Sequence, residues 1–312
     1  MAQEPRTLME AVRYFADPDV ALQHMVELRW PNGVTCPTCK RRDVRFIPTR
    51  RIWECRAKHS RKQFSAKVGT IFEDSALPLD KWFVAIWMVA NCKNGISSYE
   101  MGRALGITQK SAWHMNHRIR LAMKLGTIEK MDGHIEADET YIGGKAINRH
   151  KGDPRRGPGT ADKVGVVGAL QRQGSAVAAV IARADTHTLD SFVHAVTTPQ
   201  ALVSTDEHSG YRFLGRTFQH GVVRHSAGEY VVGAHHTNGI EGFWALLKRS
   251  IKGTYISVEP FHLGRYVDEQ VFRFNERKGT DGTRFATALR GIIGRKLTYR
   301  ELISNGAIAS AA

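Results

Sequence analysis

No apolar run in this chain approaches the ~20 residues that a membrane-spanning helix requires; the longest covers residues 82–90. The first 17 residues carry charge throughout and lack the apolar core of a secretory signal. A cytoplasmic protein is therefore expected. Cysteine is scarce, with 4 in 312 residues. That excludes a disulfide framework and leaves metal ligation or burial as the roles for those thiols. Acidic residues are also in deficit, 30 against 45 Lys and Arg, for a formal charge of +15. Such an excess favours a polyanionic partner, nucleic acid first. No internal repeat is found, so a solenoid is excluded. What remains is a chain with 42% hydrophobic residues, long enough to bury a sizeable core.

Composition shifts divide it. Residues 1–32 read as an N-terminal helical segment, 33–70 as a Cys- and base-rich ribbon, and 71–130 as a helical unit. Residues 131–300 form an α/β domain, and 301–312 a flexible tail. Within the α/β domain, residues 145–163 are rich in Gly, Pro and basic side chains without periodicity, and are expected to form an exposed loop.

In the ribbon, Cys36 and Cys39 are separated by two residues, and Cys55 and His59 by three. A two-residue spacing turns both thiolates towards one ion, and the second pair completes a tetrahedron, so one structural zinc is expected. Free cysteines packed as small apolar groups are disfavoured, because Arg41, Arg42, Arg56, Lys58 and Arg61 surround them. Between residues 40 and 67, eleven Lys and Arg face only Asp43 and Glu54. This basic stripe suits DNA phosphates, with Arg41, Arg42, Arg61 and Lys62 as candidate contacts.

Trp82, Phe83, Ile86, Trp87 and Ala90 recur at helical spacing, and Cys92 falls in the same helix as a core residue. Ser97 or Ser98 caps a second helix, and Gly106 separates it from a third that begins near Thr108. The order matches a helix-turn-helix unit, which would set Thr108, Gln109, Lys110, Ser111 and His114 where they reach DNA. A helical hairpin in an ordinary core has the same pattern. DNA binding is expected to reside mainly before residue 130.

In the α/β domain, residues 134–142, 163–170, 176–184 and 201–205 read as strands and 188–196 as a helix. Asp138 falls in the first strand and Asp206 closes the fourth. If those strands are neighbours, the carboxylates lie side by side and repel unless cations occupy the space between them. Glu241 follows 35 positions after Asp206, opening a helix over residues 239–251, and Lys248 is seven residues further. Seven residues make nearly two turns, so Glu241 and Lys248 share one face. Each residue has a plainer role as well. Acids at strand ends serve turns, and Asn238 with Glu241 has capping-box spacing.

The stretches CPTCK, QFSAKVGTIFEDSALPLDKWF, ADETYIGGK, STDEHSGY, HTNGIEGFWALLKRSIKGTY and HLGRYVDEQVFRFNER span residues 36–277. They resemble the DDE transposases of bacterial insertion sequences, specifically the ISXO-like subgroup with an N-terminal zinc ribbon. Lys58 stands where such ribbons usually have a fourth cysteine, which leaves His59 as the substitute. The resemblance implies a ribonuclease-H-like mixed sheet with flanking helices. Asp138, Asp206 and Glu241 would bind two magnesium ions, with manganese as a substitute, for cleavage and rejoining of phosphodiesters. Asn238 is the alternative third ligand; a carboxylate holds a divalent ion better, and Asn238 is then left to cap the helix. Lys248 would orient a DNA phosphate, with Arg249 and Lys252 as further DNA contacts. The partners implied are double-stranded DNA, as element ends and target, and further copies of the chain in a homodimer or higher oligomer on DNA, in the bacterial cytoplasm and associated with the nucleoid. Two other readings fit part of the pattern: a non-catalytic zinc-ribbon and helix-turn-helix regulator, and a nuclease of the same fold without strand transfer.

Overall fold

The computed structural model describes residues 5–124, 126, 129–143 and 163–304. The chain forms two compact units, Leu125–Glu276 and a unit made of Met1–Lys124 with Arg277–Ala312. Residues 145–162 of the expected loop and most of the expected tail lie outside the described residues. None of the described helices is long and apolar enough to cross a membrane.

The two-segment unit starts with α1 (Leu8–Phe15) and α2 (Pro18–Arg29). A three-stranded antiparallel sheet follows, β1 (Val44–Ile47), β2 (Ile52–Cys55) and β3 (Gln63–Phe64), with Trp53 on β2 packed between Trp30 and Phe64. Next come α3 (Leu79–Asn91), α4 (Ser98–Leu105) and α5 (Gln109–Met123). Cys92 closes α3 as its C-cap and is half-buried. Ser97 and Glu100 form a capping box on α4, and Gly106 ends that helix with φ +60°, a left-handed cap that suits glycine. Thr108 caps α5 through its hydroxyl. The expected helix, short helix, Gly turn, helix order is thus present.

The α/β domain expected over 131–300 is shorter at its C-terminal end, because α9 (Asp281–Arg290) and α10 (Tyr299–Ile303) belong to the two-segment unit. Phe285 on α9 sets its ring 5.2 Å from Trp87 and 5.8 Å from Phe15, so apolar burial decides the assignment. Residues 277–300 are polar enough in composition to extend either neighbour, and only this packing separates them.

The second unit is built on β4 (His134–Ile142), β5 (Val164–Gln171), β6 (Ala176–Ile181), α6 (Thr186–Val196), β7 (Leu202–Thr205), β8 (Gln219–Val222), α7 (Asn238–Arg249) and α8 (Leu263–Asn275). Strand order is β6-β5-β4-β7-β8. β5 runs antiparallel to both β4 and β6, while β4, β7 and β8 are parallel. β8 is absent from the sequence expectation because it is a short, largely open strand with no apolar alternation. One face of the sheet buries Ile135, Ala137 and Val203 against Leu189 and Val193 of α6. The other buries Val166 and Leu170 against Ile240, Phe243, Trp244 and Leu247 of α7 and Val267 of α8. Helices thus cover both faces of a mixed sheet, which is the ribonuclease-H-like fold.

Gly168 on β5 permits this second layer. A Cβ there would lie 2.6 Å from the Trp244 ring, so any other residue pushes α7 off the sheet.

Candidate active site and zinc site

The ribbon gathers its ligands by backbone pairing. The Lys40 amide donates to the Cys36 carbonyl and the Cys36 amide to the Arg41 carbonyl, each at 2.9 Å, closing the turn that carries Cys36 and Cys39. Cys55 ends β2, and its amide donates to the Lys62 carbonyl. Cys36 Sγ then lies 3.5 Å from His59 Nε2, and Cys39 Sγ lies 3.6 Å from Cys55 Sγ. All four donor atoms fall within 4.8 Å of one another. A sulfur separation of 3.6 Å is far beyond a covalent S–S bond of about 2.05 Å. It suits thiolates that share one tetrahedral ion at about 2.3 Å each. Burial raises the Cys36 thiol, but hydrogen bonds from the amides of Cys39 and Thr38 and from the thiols of Cys39 and Cys55 together bring its pKa down to about 6. A thiolate ready for metal at neutral pH results. The four residues expected from spacing, His59 included, are brought together as a structural zinc site. Purified protein is expected to carry one zinc per chain by elemental analysis, and Cys36→Ser with Cys39→Ser is expected to lose it; full retention would contradict the site.

In the second unit, parallel pairing of β4 with β7 brings Asp138 beside Asp206, which directly follows β7. One carboxylate oxygen from each of Asp138, Glu139 and Asp206 lies within 4.8 Å of the others. Asp138 is held at both oxygens: its own neighbour's amide, Glu139 N–H, donates to Oδ1 at 2.8 Å, and Trp244 Nε1–H donates to Oδ2 at 3.0 Å. His208 N–H donates to Asp206 Oδ1 at 3.0 Å. Tyr211 donates its hydroxyl to Glu139 at 2.9 Å. Burial, reinforced by the negative charges of Asp206 and Glu139, pushes the Asp138 carboxyl up to about 7. Burial likewise raises Glu139, opposed by the nearby His208. Three acids packed so closely and so strained in charge fit divalent cation binding, since oxygen-rich sites suit hard ions.

Glu241 is not among those acids. It lies in the first turn of α7, where it accepts from the Thr237 hydroxyl at 2.8 Å and lies 3.3 Å from His225 Nε2. Trp244, three residues on, is the α7 side chain that touches Asp138. Asn238 does not cap the helix, contrary to expectation. Thr237 occupies the N-cap position, and the first-turn amides of Gly239 and Ile240 donate to the buried carboxylate of Glu136 at 2.7 and 3.0 Å. A charged carboxylate from the sheet caps the helix better than a neutral amide in its own turn. Glu136 in turn accepts from Arg172 Nε at 2.8 Å, and Arg172 donates onward to the carbonyls of Ala234 and His236. Lys248 is half-buried on α7; Arg249 and Lys252 are exposed.

Glu136, Glu139 and Tyr211 escaped the sequence reading, and His208, like His235 and His236, is expected from the sequence only as a DNA-contacting or structural residue; here it lies 3.6 Å from Glu139. The signal for Glu136 was present, because it shares a strand face with Asp138 two residues away.

The candidate DNA contacts differ in exposure. Arg41, Arg42, Arg61 and Lys62 are exposed on the ribbon, and the last two border a groove of about 1150 Å³ beside His59. Lys67, in the same stripe, instead donates to the carbonyls of Ser75 and Leu77. On α5, Gln109 donates to the Ser98 hydroxyl, and Lys110 lies over the Tyr299 ring. From Met115 to Arg120 every residue is buried, so the accessible part of α5 that could face DNA lies before Met115, where Lys110 is exposed. Arg118 is a core residue whose guanidinium serves the carbonyls of Ile71, Glu73 and Leu297.

Comparison with known proteins agrees with this layout. Residues 130–275 match the ISXO2-like transposase domain, and residues 17–60 match a transposase zinc-ribbon domain. Together these stretches span more than half of the chain. A protein of Halobacterium salinarum described as an uncharacterized protein in transposable element ISH50 is 26% identical over 254 residues, covering 77% of this chain and 85% of the relative. With a ribonuclease-H-like fold, a Cys3His ribbon and an acidic cluster on β4 and just after β7, the chain belongs to the ISXO2-like DDE transposases.

Proposed function

We propose that this transposase cuts and rejoins its element's ends at the cluster of Asp138, Glu139 and Asp206, with Glu241 as the third ligand of the DDE set. The observation that carries the reading is the gathering of acids from the middle of β4 and just past the end of β7, inside the matched domain. Asp138, Asp206 and Glu241 would hold two divalent ions, magnesium by preference, which suit carboxylate and phosphate oxygens. When bound, such ions lower the pKa of water and offset charge on a phosphate in flight.

The protein's own groups do the positioning. The Glu139 amide and the Trp244 indole fix both oxygens of Asp138, and the His208 amide fixes Asp206. Lys248 orients the flanking phosphate as a point charge. In the first reaction water adds to phosphorus as the P–O3′ bond breaks, leaving a 3′-hydroxyl and a 5′-phosphate. In the second that 3′-hydroxyl attacks a target phosphorus and releases a target 3′-hydroxyl. The ribbon and the first turn of α5 supply duplex contacts through Arg41, Arg42, Arg61, Lys62, Gln109 and Lys110, and Arg249 and Lys252 add contacts near the chemistry. Joining two ends calls for at least a dimer on DNA.

Incubating the full chain with magnesium, a duplex bearing the inverted repeat that flanks its gene, and a supercoiled target tests the proposal. Metal-dependent nicking at the end and a joined product are the expected result. Binding without cleavage would support a regulator, and cleavage without joining a nuclease.

A further inference from the structure

The connection from β8 to α7 contains nine consecutive exposed residues, 226–234, and three adjacent ones are large and apolar: Tyr230 is 64% exposed, Val231 57% and Val232 41%. Scattered apolar residues on a surface need no explanation, but a contiguous run on a projecting loop marks a contact. The loop is not loosely attached. Ser226 donates its amide and hydroxyl to Glu207, the neighbour of Asp206. Arg172, bound to Glu136 on β4, donates to the Ala234 carbonyl. Val232 and His235 exchange both backbone hydrogen bonds. His225 links this tip to α7: its ring lies 5.5 Å from that of Tyr230, and its Nε2 lies 3.3 Å from Glu241. The apolar tip therefore stands on a root tied to residues beside each proposed metal ligand.

We infer that Tyr230, flanked by Val231 and Val232, stacks on an unpaired base of the DNA end next to the scissile phosphate. The inference rests on the active-site reading above, because a strand whose phosphate sits at the acids carries its neighbouring nucleotides past this tip. An aromatic face is sequence-tolerant and takes a base that has left its duplex, while β-branched neighbours wedge into the gap. Local charge does not pull duplex phosphates to the tip, since Glu229 and Glu207 offset Arg224; a base face is the part of DNA that suits it.

The test uses the full zinc-loaded chain and the flanking inverted-repeat duplex, with 2-aminopurine placed in turn at each nucleotide bordering the cut, without added magnesium and without chelator. Fluorescence is expected to rise at one of these positions with the wild type and with Tyr230→Phe, and to stay at the duplex level with Tyr230→Ala. With magnesium, Tyr230→Ala is expected to cut paired ends about 10- to 100-fold more slowly, in line with the cost of one lost base stack. A mismatch at the reporting position should restore its rate. The inference is overturned if no position brightens with the wild type, if Tyr230→Ala cuts paired ends at the wild-type rate, or if its defect is lost self-association. Asp138→Asn separates the two readings. It should brighten like the wild type and cut nothing; if it cuts normally, the active-site assignment fails while the magnesium-free fluorescence still judges the tip.

Discussion

Asp138→Asn is expected to lower metal-dependent cleavage by about a thousandfold or more while leaving binding to the end duplex intact. A ligand that anchors cations at a phosphate in flight is worth several kcal/mol, at about 1.4 kcal/mol per decade. The same substitution is expected to stabilise the metal-free protein at pH 8. The folded-state carboxyl titrates near 7 rather than at its ordinary value of 3.8, so the native state binds the proton more tightly than the unfolded chain. Stability contributed here is therefore intact below pH 4 and lost as pH rises through 7. Removing the charge should recover roughly 1–4 kcal/mol at pH 8 and almost nothing at pH 4. Urea denaturation of both proteins at the two pH values measures this, and magnesium should stabilise only the wild type. The third ligand is tested beside it. Glu241→Gln should lose cleavage with binding retained, and Asn238→Ala, which caps nothing in the structure, should keep both. The reverse pattern would move the role to Asn238, and loss of metal-induced stabilisation in Glu139→Gln alone would move it to Glu139.

Glu136→Ala is expected to cost about 3–5 kcal/mol of stability, because it strands the partly buried Arg172 guanidinium and two helix amides. Cleavage should fall as well, since Glu136 fixes the start of α7 against β4 and so sets Glu241 and Trp244 relative to Asp138. Glu136→Gln retains an acceptor for the amides but not the charge for Arg172, and a smaller loss is expected. Urea denaturation with cleavage assays on both variants checks the order. Equal stability of Glu136→Ala and the wild type would show that the helix start needs no anchor.

Much of this site could be read from residue order alone. Residues 134–142 are a strand as expected, and the pairing of β4 with β7 turns two acids 68 positions apart into neighbours. The helix carrying Glu241 and Lys248 also stands, one residue early at its start and continuing as a π turn over Ser250–Tyr255. What escaped depends on long-range contacts. Asp138 and Glu139 point to opposite faces of a strand, so alternation separates them. Their carboxylates nonetheless gather with that of Asp206 within 4.8 Å, while Glu139 also meets Tyr211 and His208. Asn238 has the spacing of a cap and is displaced only because a carboxylate from another strand reaches the same amides. Gln109 and Lys110 also have partners in the preceding helix or far off in sequence, the Ser98 hydroxyl and the Tyr299 ring, that helical spacing does not reveal.

The return of α9 to α3 has a consequence for synthesis and for gene decay. The aromatic wall of Phe15, Phe83 and Trp87 waits for Phe285 until the whole catalytic domain has been translated, a delay of roughly 10–40 s at ordinary elongation rates. A fragment ending near residue 130 therefore carries the ribbon and α5 with an open apolar seam, and it is a poor stand-in for the DNA-binding half. A better one joins 5–124 to 277–304. By the same logic, an early stop codon in this gene yields a sticky, degradable stub rather than a DNA-binding competitor, so damaged copies of the element would not silence intact ones through their protein.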